Sequence, residues 1–163
     1  LPTRDKLITL SEERGLPSHL HPLISKIKQE RTLRWIRKSC FPIVEQQLLF
    51  SFLKRFGIQL GVATNSIRQT AELMLQTSNV FEWLDLLVTN EDVDKAKPDP
   101  EIYVKSSEML GAHPSEVIVV EDNPYGIESA KQAGCKVLSV TEVEQVRIGL
   151  FEKVLGGAPP FAN

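Results

Sequence analysis

The chain is poor in cysteine: among 163 residues only Cys40 and Cys135 occur, far apart and outside any CxxC pair. Neither a disulfide framework nor a thiolate metal site is therefore expected to organise the fold, and the pattern suits a reduced, cytoplasmic protein. No apolar run approaches the ~20 residues that a membrane-spanning helix requires. The opening stretch LPTRDKLITLSEERG places charges where a secretory signal would be apolar. A charge excess is also missing. Nineteen Lys+Arg against 21 Asp+Glu give a net charge of -2, so no global field calls for nucleic acid or an anionic membrane. The nearest approach to a basic cluster, KIKQERTLRWIRK from Lys26 to Lys38, interleaves Leu33, Trp35 and Ile36 at helical spacing. It reads as a solvated helix face whose Arg and Lys stems lie over a core. Histidine is scarce as well: His19 and His21 sit in a loop-to-helix context and His113 stands beside Pro114, and all read as surface or structural residues rather than metal ligands.

What is present is enough apolar residue, 42% with 25% charged, for one domain with a real core and a small appendage. From about Thr3 to Cys40 the period is helical, with Leu7, Ile8 and Leu10 in one segment and Leu23, Ile24, Ile27, Leu33 and Ile36 in the next, broken by the Gly-Leu-Pro at 15–17. Beyond Phe41 helix and strand alternate. Helices are expected over 43–56, 67–76, 100–110 and 125–133, and short buried strands over 58–63, 85–89, 117–121 and 136–140. That alternation predicts right-handed βαβ units and a parallel sheet with helices on both faces, a Rossmann-like three-layer α/β/α arrangement. The expected division is a partial helical cap over 1–40, an α/β core over 41–155 and a Gly/Pro-rich tail over 156–163.

In such sheets ligands sit beyond the carboxyl ends of the strands. The first strand delivers Thr64, Asn65 and Ser66, with Arg68 in the following helix: a hydroxyl, an amide and free helix N–H groups that suit a phosphate, or else an ordinary helix cap. The second leads to Lys95 and Lys97 among prolines, where a lysine could face an anion or simply solvent. The third delivers Glu121 and Asp122, and two adjacent carboxylates after a buried strand are costly unless a cation meets them. Hard oxygen donors of this kind suit Mg²⁺, whereas a helix-capping role would explain one acid and not both. A hydroxyl, a lysine and a carboxylate pair, in that chain order, would together neutralise a phosphoryl group.

LGVATNS, KAKPDPEIY and VIVVEDNPYGIESAKQAG resemble the second, third and fourth motifs of the haloacid dehalogenase-like hydrolases, in order and spacing. The likeness runs from Leu1 to about Val143 and is nearest to the phosphatase and β-phosphoglucomutase branch with a small helical cap. The resemblance implies that Thr64 holds the transferring phosphoryl group, that Lys97 rather than Lys95 neutralises nucleophile and phosphate, and that Glu121 and Asp122 bind Mg²⁺. It further implies that Arg4, in LPTRDKL, contacts a second anionic group of a small phosphorylated metabolite. The family's first motif, an apolar strand ending in Asp-x-Asp that supplies the nucleophile, has no counterpart here. The single Asp-x-Asp, Asp92-Val93-Asp94, lies in a polar loop and reads as loop solvation or substrate-side rim. In the family the missing strand lies between those of motifs II and IV, so two strands would face each other unpaired. The chain is accordingly expected to be a portion of a longer one, poorly folded and inactive towards phosphate esters when expressed alone. Two other readings stay open: a catalytically inactive phosphate- or metal-binding module, and a receiver-type phospho-acceptor domain, in which the acids would precede the lysine in sequence.

Overall fold

A computed structural model of the protein describes residues 3–152; the expected tail over 156–163 lies outside them. The helical segment consists of α1 (Thr3–Arg14) and α2 (His21–Ser39). Gly15, at φ 70°, ends α1, and its N–H and that of Leu16 cap the carbonyls of Ser11 and Leu10. Pro22 opens α2, where a missing N–H costs nothing. The two helices pack on each other, Leu7 of α1 and Ile36 of α2 are both buried, and α2 lies along α4 (Arg68–Thr77). There Gln29 Nε2 donates to the buried Thr70 Oγ1 at 2.7 Å. Trp35, expected within the α2 face, is 63% exposed.

The α/β portion runs α3 (Val44–Arg55), β1 (Gly61–Ala63), α4, β2 (Leu86–Val88), α5 (Glu101–Met109), β3 (Ile118–Glu121), α6 (Pro124–Gln132), β4 (Lys136–Ser139) and α7 (Ile148–Glu152). Adjacent residues on the strands face opposite layers. Val119 joins Leu86, Val88, Ile102, Tyr103 and Ala130 in one core under α5 and α6. Val120 and Leu138 join Leu49, Leu53 and Phe151 in a second under α3 and α7. The three layers of the expected Rossmann-like architecture are thus present.

The sheet itself is divided. Two parallel ladders form, β1 with β2 in the register Val62 to Leu87 and β3 with β4 in the register Val119 to Val137. Among the described residues no ladder joins β1 to β3, and no described strand runs between them. Each core nonetheless reaches both ladders: Ala63 and Leu86 meet Val119 in the first, Ile58 and Leu60 meet Val120 and Leu138 in the second.

Candidate functional site

Lys97 stands at the carboxyl ends of both ladders. Its position is fixed at the backbone, where its N–H donates to Asn65 Oδ1 at 3.3 Å. Its ammonium then donates to Ala63 O at the end of β1 (3.0 Å), to Tyr103 Oη (2.7 Å) and to Glu121 Oε2 at the end of β3 (2.8 Å). These three acceptors use all three ammonium hydrogens. Lys97 is only 8% exposed, so a charge that would be costly unpaired meets its counter-charge inside the protein. Lys95, in contrast, points to solvent with Asp99 3.7 Å away. Of the two lysines, it is Lys97, the one the motif resemblance points to, that meets Glu121.

Glu121 shares its oxygens between two sets of donors. Oε2 accepts from Lys97 and from the Tyr103 hydroxyl (2.8 Å), and Oε1 from the backbone N–H groups of Asp122 and Asn123. Burial alone would raise its pKa, but these hydrogen bonds and the adjacent ammonium hold it below the usual glutamate value. Burial, together with the Glu121 carboxylate, pushes the Tyr103 phenol far above its ordinary range, so it stays a donor. The carboxylate rests against Gly126 in the first turn of α6, where a Cβ would come within 2.1 Å of Oε2.

Asp122 departs from the expectation of a buried pair: it is exposed, and only its neighbour is enclosed. Neither acid caps α6, because Asn123 takes that place by accepting from Tyr125 N–H at 3.0 Å. The alternative of a capping acid therefore falls. Ile67 occupies the cap position of α4 with no side-chain bond, so Asn65 and Ser66 are not caps either. Thr64 Oγ1 instead accepts from Ser66 N–H at 3.1 Å, which folds the loop after β1 back on itself.

Two expected residues are placed elsewhere. Arg68 is the first residue of α4, and its guanidinium meets Asp92 at 2.7 Å, Leu87 O at 3.4 Å and Glu72 at 3.6 Å. Asp92 also accepts from the N–H and hydroxyl of Thr89, each at 2.7 Å, and so braces the loop after β2. Arg4 is exposed on α1, and no hydrogen bond or ion pair among the described residues brings it to the strand ends. Tyr103 and Gly126 were assigned no role from sequence. The visible signal was their place within KAKPDPEIY and EDNPYGIE, but nothing in the pattern says that a phenol turns back onto the lysine six residues earlier.

Among the described residues no cluster of three or more His, Cys, Asp or Glu gathers. Two carboxylates, one of them exposed and without a hydrogen-bond partner among the described residues, nevertheless fit Mg²⁺, an ion that keeps several waters and takes one or two protein carboxylates. No helix is long and apolar enough to cross a membrane among these residues.

Known proteins resemble this chain in sequence and in fold. Pyrophosphatase PpaX of Bacillus cereus (strain B4264) is 42% identical over 89 residues, covering 55% of this chain and 41% of that protein. Validoxylamine A 7'-phosphate phosphatase of Streptomyces hygroscopicus subsp. limoneus is 42% identical over 89 residues, with 55% and 42% covered. The chain thus spans about two fifths of the length of the curated relatives it matches. Among solved structures, β-phosphoglucomutase from Clostridium difficile superimposes with a TM-score of 0.77 at 17% identity, over 94% of this chain and 76% of that one. A putative β-phosphoglucomutase from Thermotoga maritima does so with a TM-score of 0.69 at 27% identity, over 93% and 70%. The family profile of the haloacid dehalogenase-like hydrolases matches residues 2–140, most of the sequence, and the protein belongs to that family.

Proposed function

We propose that these residues carry the phosphate- and metal-holding part of a Mg²⁺-dependent phosphatase or phosphomutase acting on a small phosphorylated metabolite. One observation carries the reading: Lys97 joins the end of β1 to Glu121 at the end of β3, beside the exposed Asp122. In this reading the Thr64 hydroxyl, with Asn65 and Ser66 beside it, holds the phosphoryl oxygens. Lys97 neutralises the phosphoryl charge, and Glu121 and Asp122 hold the ion. When bound, Mg²⁺ would supply charge neutralisation at the phosphoryl group. Transfer itself would pass through an aspartyl-phosphate on a nucleophile that the sequence does not contain after any of its strands. The names of the relatives, a pyrophosphatase, a validoxylamine A 7'-phosphate phosphatase and a putative β-phosphoglucomutase, support phosphate esters or anhydrides as the substrate class. Arg68 and Arg4 are left without a role, the first because Asp92 holds its guanidinium and the second because no described contact brings it near.

A second reading, a phosphate- and metal-binding module without turnover, rests on the same contacts, since Lys97, Glu121 and Asp122 need no nucleophile to hold an anion and an ion. Calorimetric titration with Mg²⁺ tests what the two readings share. Asp122→Asn is expected to weaken Mg²⁺ binding about tenfold or more, the order seen when a ligating group or its support is removed, with the unfolding temperature unchanged because the side chain is exposed. Equal affinity in the two proteins would remove the metal assignment. Mg²⁺-dependent hydrolysis of p-nitrophenyl phosphate by the full protein then separates the enzyme from the inactive module.

A further inference from the structure

Tyr103 performs two tasks that can be separated chemically. Its ring is 5% exposed and fills the core beside Val88, Val119 and Cys135. A phenylalanine would fill the same space. The hydroxyl is not needed for packing, yet it lies 2.7 Å from Lys97 Nζ and 2.8 Å from Glu121 Oε2, accepting from the first and donating to the second.

An anion approaching Lys97 must take a hydrogen already given to Ala63 O, Tyr103 Oη or Glu121 Oε2. The bond to Ala63 O is set by the β1 backbone. Of the other two, the Glu121 bond is the one an anion competes for by charge. Releasing it leaves a carboxylate whose side chain is 12% exposed without its cation, a state that is strongly disfavoured. The Tyr103 hydroxyl is the remaining side-chain donor to Oε2 and softens that state.

Resting on the phosphate-binding reading above, we propose that Tyr103 is a positioning residue: its hydroxyl holds the Glu121 carboxylate in place while Lys97 turns to a phosphate-class anion, and so sets the anion affinity of the site. Tyr103 itself need not touch the ligand. A divalent ion on Glu121 would supply the missing counter-charge, so the hydroxyl matters most when Mg²⁺ is absent.

The test is titration of the full protein with orthophosphate, with and without Mg²⁺, for the wild type, Tyr103→Phe and Tyr103→Leu. Tyr103→Phe is expected to bind orthophosphate about tenfold more weakly without Mg²⁺, the scale of one hydrogen bond to a charged group, and to recover most of that loss when Mg²⁺ is added. A purely structural role would give the same loss with and without Mg²⁺, in step with a lower unfolding temperature, and overturns the proposal. So does a Tyr103→Phe protein that binds like the wild type while Tyr103→Leu fails, since only the ring would then matter. A wild type that binds orthophosphate under neither condition removes the phosphate reading itself and the inference with it.

Discussion

At the scale of single residues the site depends on a side chain that is missing. Gly126 lies under the Glu121 carboxylate, and a methyl group there would come within 2.1 Å of Oε2. The atoms in its way belong to a side chain, but one held by Lys97, Tyr103 and two backbone N–H groups. Gly126→Ala is therefore expected to evict the carboxylate and leave Lys97 without its counter-charge. The net loss should be about 2–4 kcal/mol, the cost of breaking a buried pair less the ~1 kcal/mol that alanine gains over glycine in a helix. Urea unfolding measures it, and unchanged stability would mean that Glu121 finds an equally good place. The acids, the threonine and the lysine could be picked out from sequence because strand tips are where an α/β fold places its chemistry. Tyr103 could not, because a tyrosine at a helical apolar position is indistinguishable from any core aromatic until its hydroxyl is located. The partner of Arg68 was hidden for a related reason: nothing in TNSIRQT reveals that Asp92, 24 positions on, returns to meet the guanidinium.

The elements are where the sequence pattern performed best, and their edges are where it fell short. Every expected helix and strand of the α/β portion appears, but β1 begins at Gly61 rather than at 58 and β2 is trimmed to Leu86–Val88. Side chains do the trimming. The N–H of Leu60 is taken by Asp85 Oδ2 at 2.8 Å and that of Thr89 by Asp92 Oδ2 at 2.7 Å, and no propensity scale contains those bonds. Asp85 also meets Lys54 at 2.6 Å and so ties the end of α3 to the first ladder. The Lys54 hydrogen bond, followed by that from Leu60 N–H, holds the Asp85 pKa below its ordinary value. A carboxylate depressed in the folded state contributes stability above its unfolded pKa, near 3.9, and that contribution is lost as the pH falls below this value. Asp85→Asn should cost about 0.5–1 kcal/mol near neutral pH, the range for a pair this open to solvent. At pH 3 the difference from the wild type should shrink. Thermal unfolding at both values checks it, and a pH-independent difference would point to packing rather than charge.

At the scale of the whole molecule, the divided sheet is held by two cores and by Lys97. The lysine bonds to the end of each ladder, through Ala63 O on one side and the Glu121 carboxylate on the other. Lys97→Met is expected to destabilise the protein by about 3–5 kcal/mol, because Glu121 is left buried and unpaired. Adding Glu121→Gln should restore part of that loss, a coupling that a double-mutant cycle reads directly. If the two losses simply add, the ion pair does not join the halves. The alternation of helix and strand foretold three layers, but hydrogen-bonded continuity is a property of neighbours in space, and which strands are neighbours is not written in the period of any one of them. The threefold saturation of the Lys97 ammonium has a thermodynamic consequence. A phosphate oxygen arriving there replaces an existing acceptor, so the number of hydrogen bonds at nitrogen stays constant and little enthalpy is gained at that atom. Selectivity for one anion over another must then come from the groups around the lysine, in the reading above Thr64 and the ion held by Glu121 and Asp122, rather than from the ammonium itself.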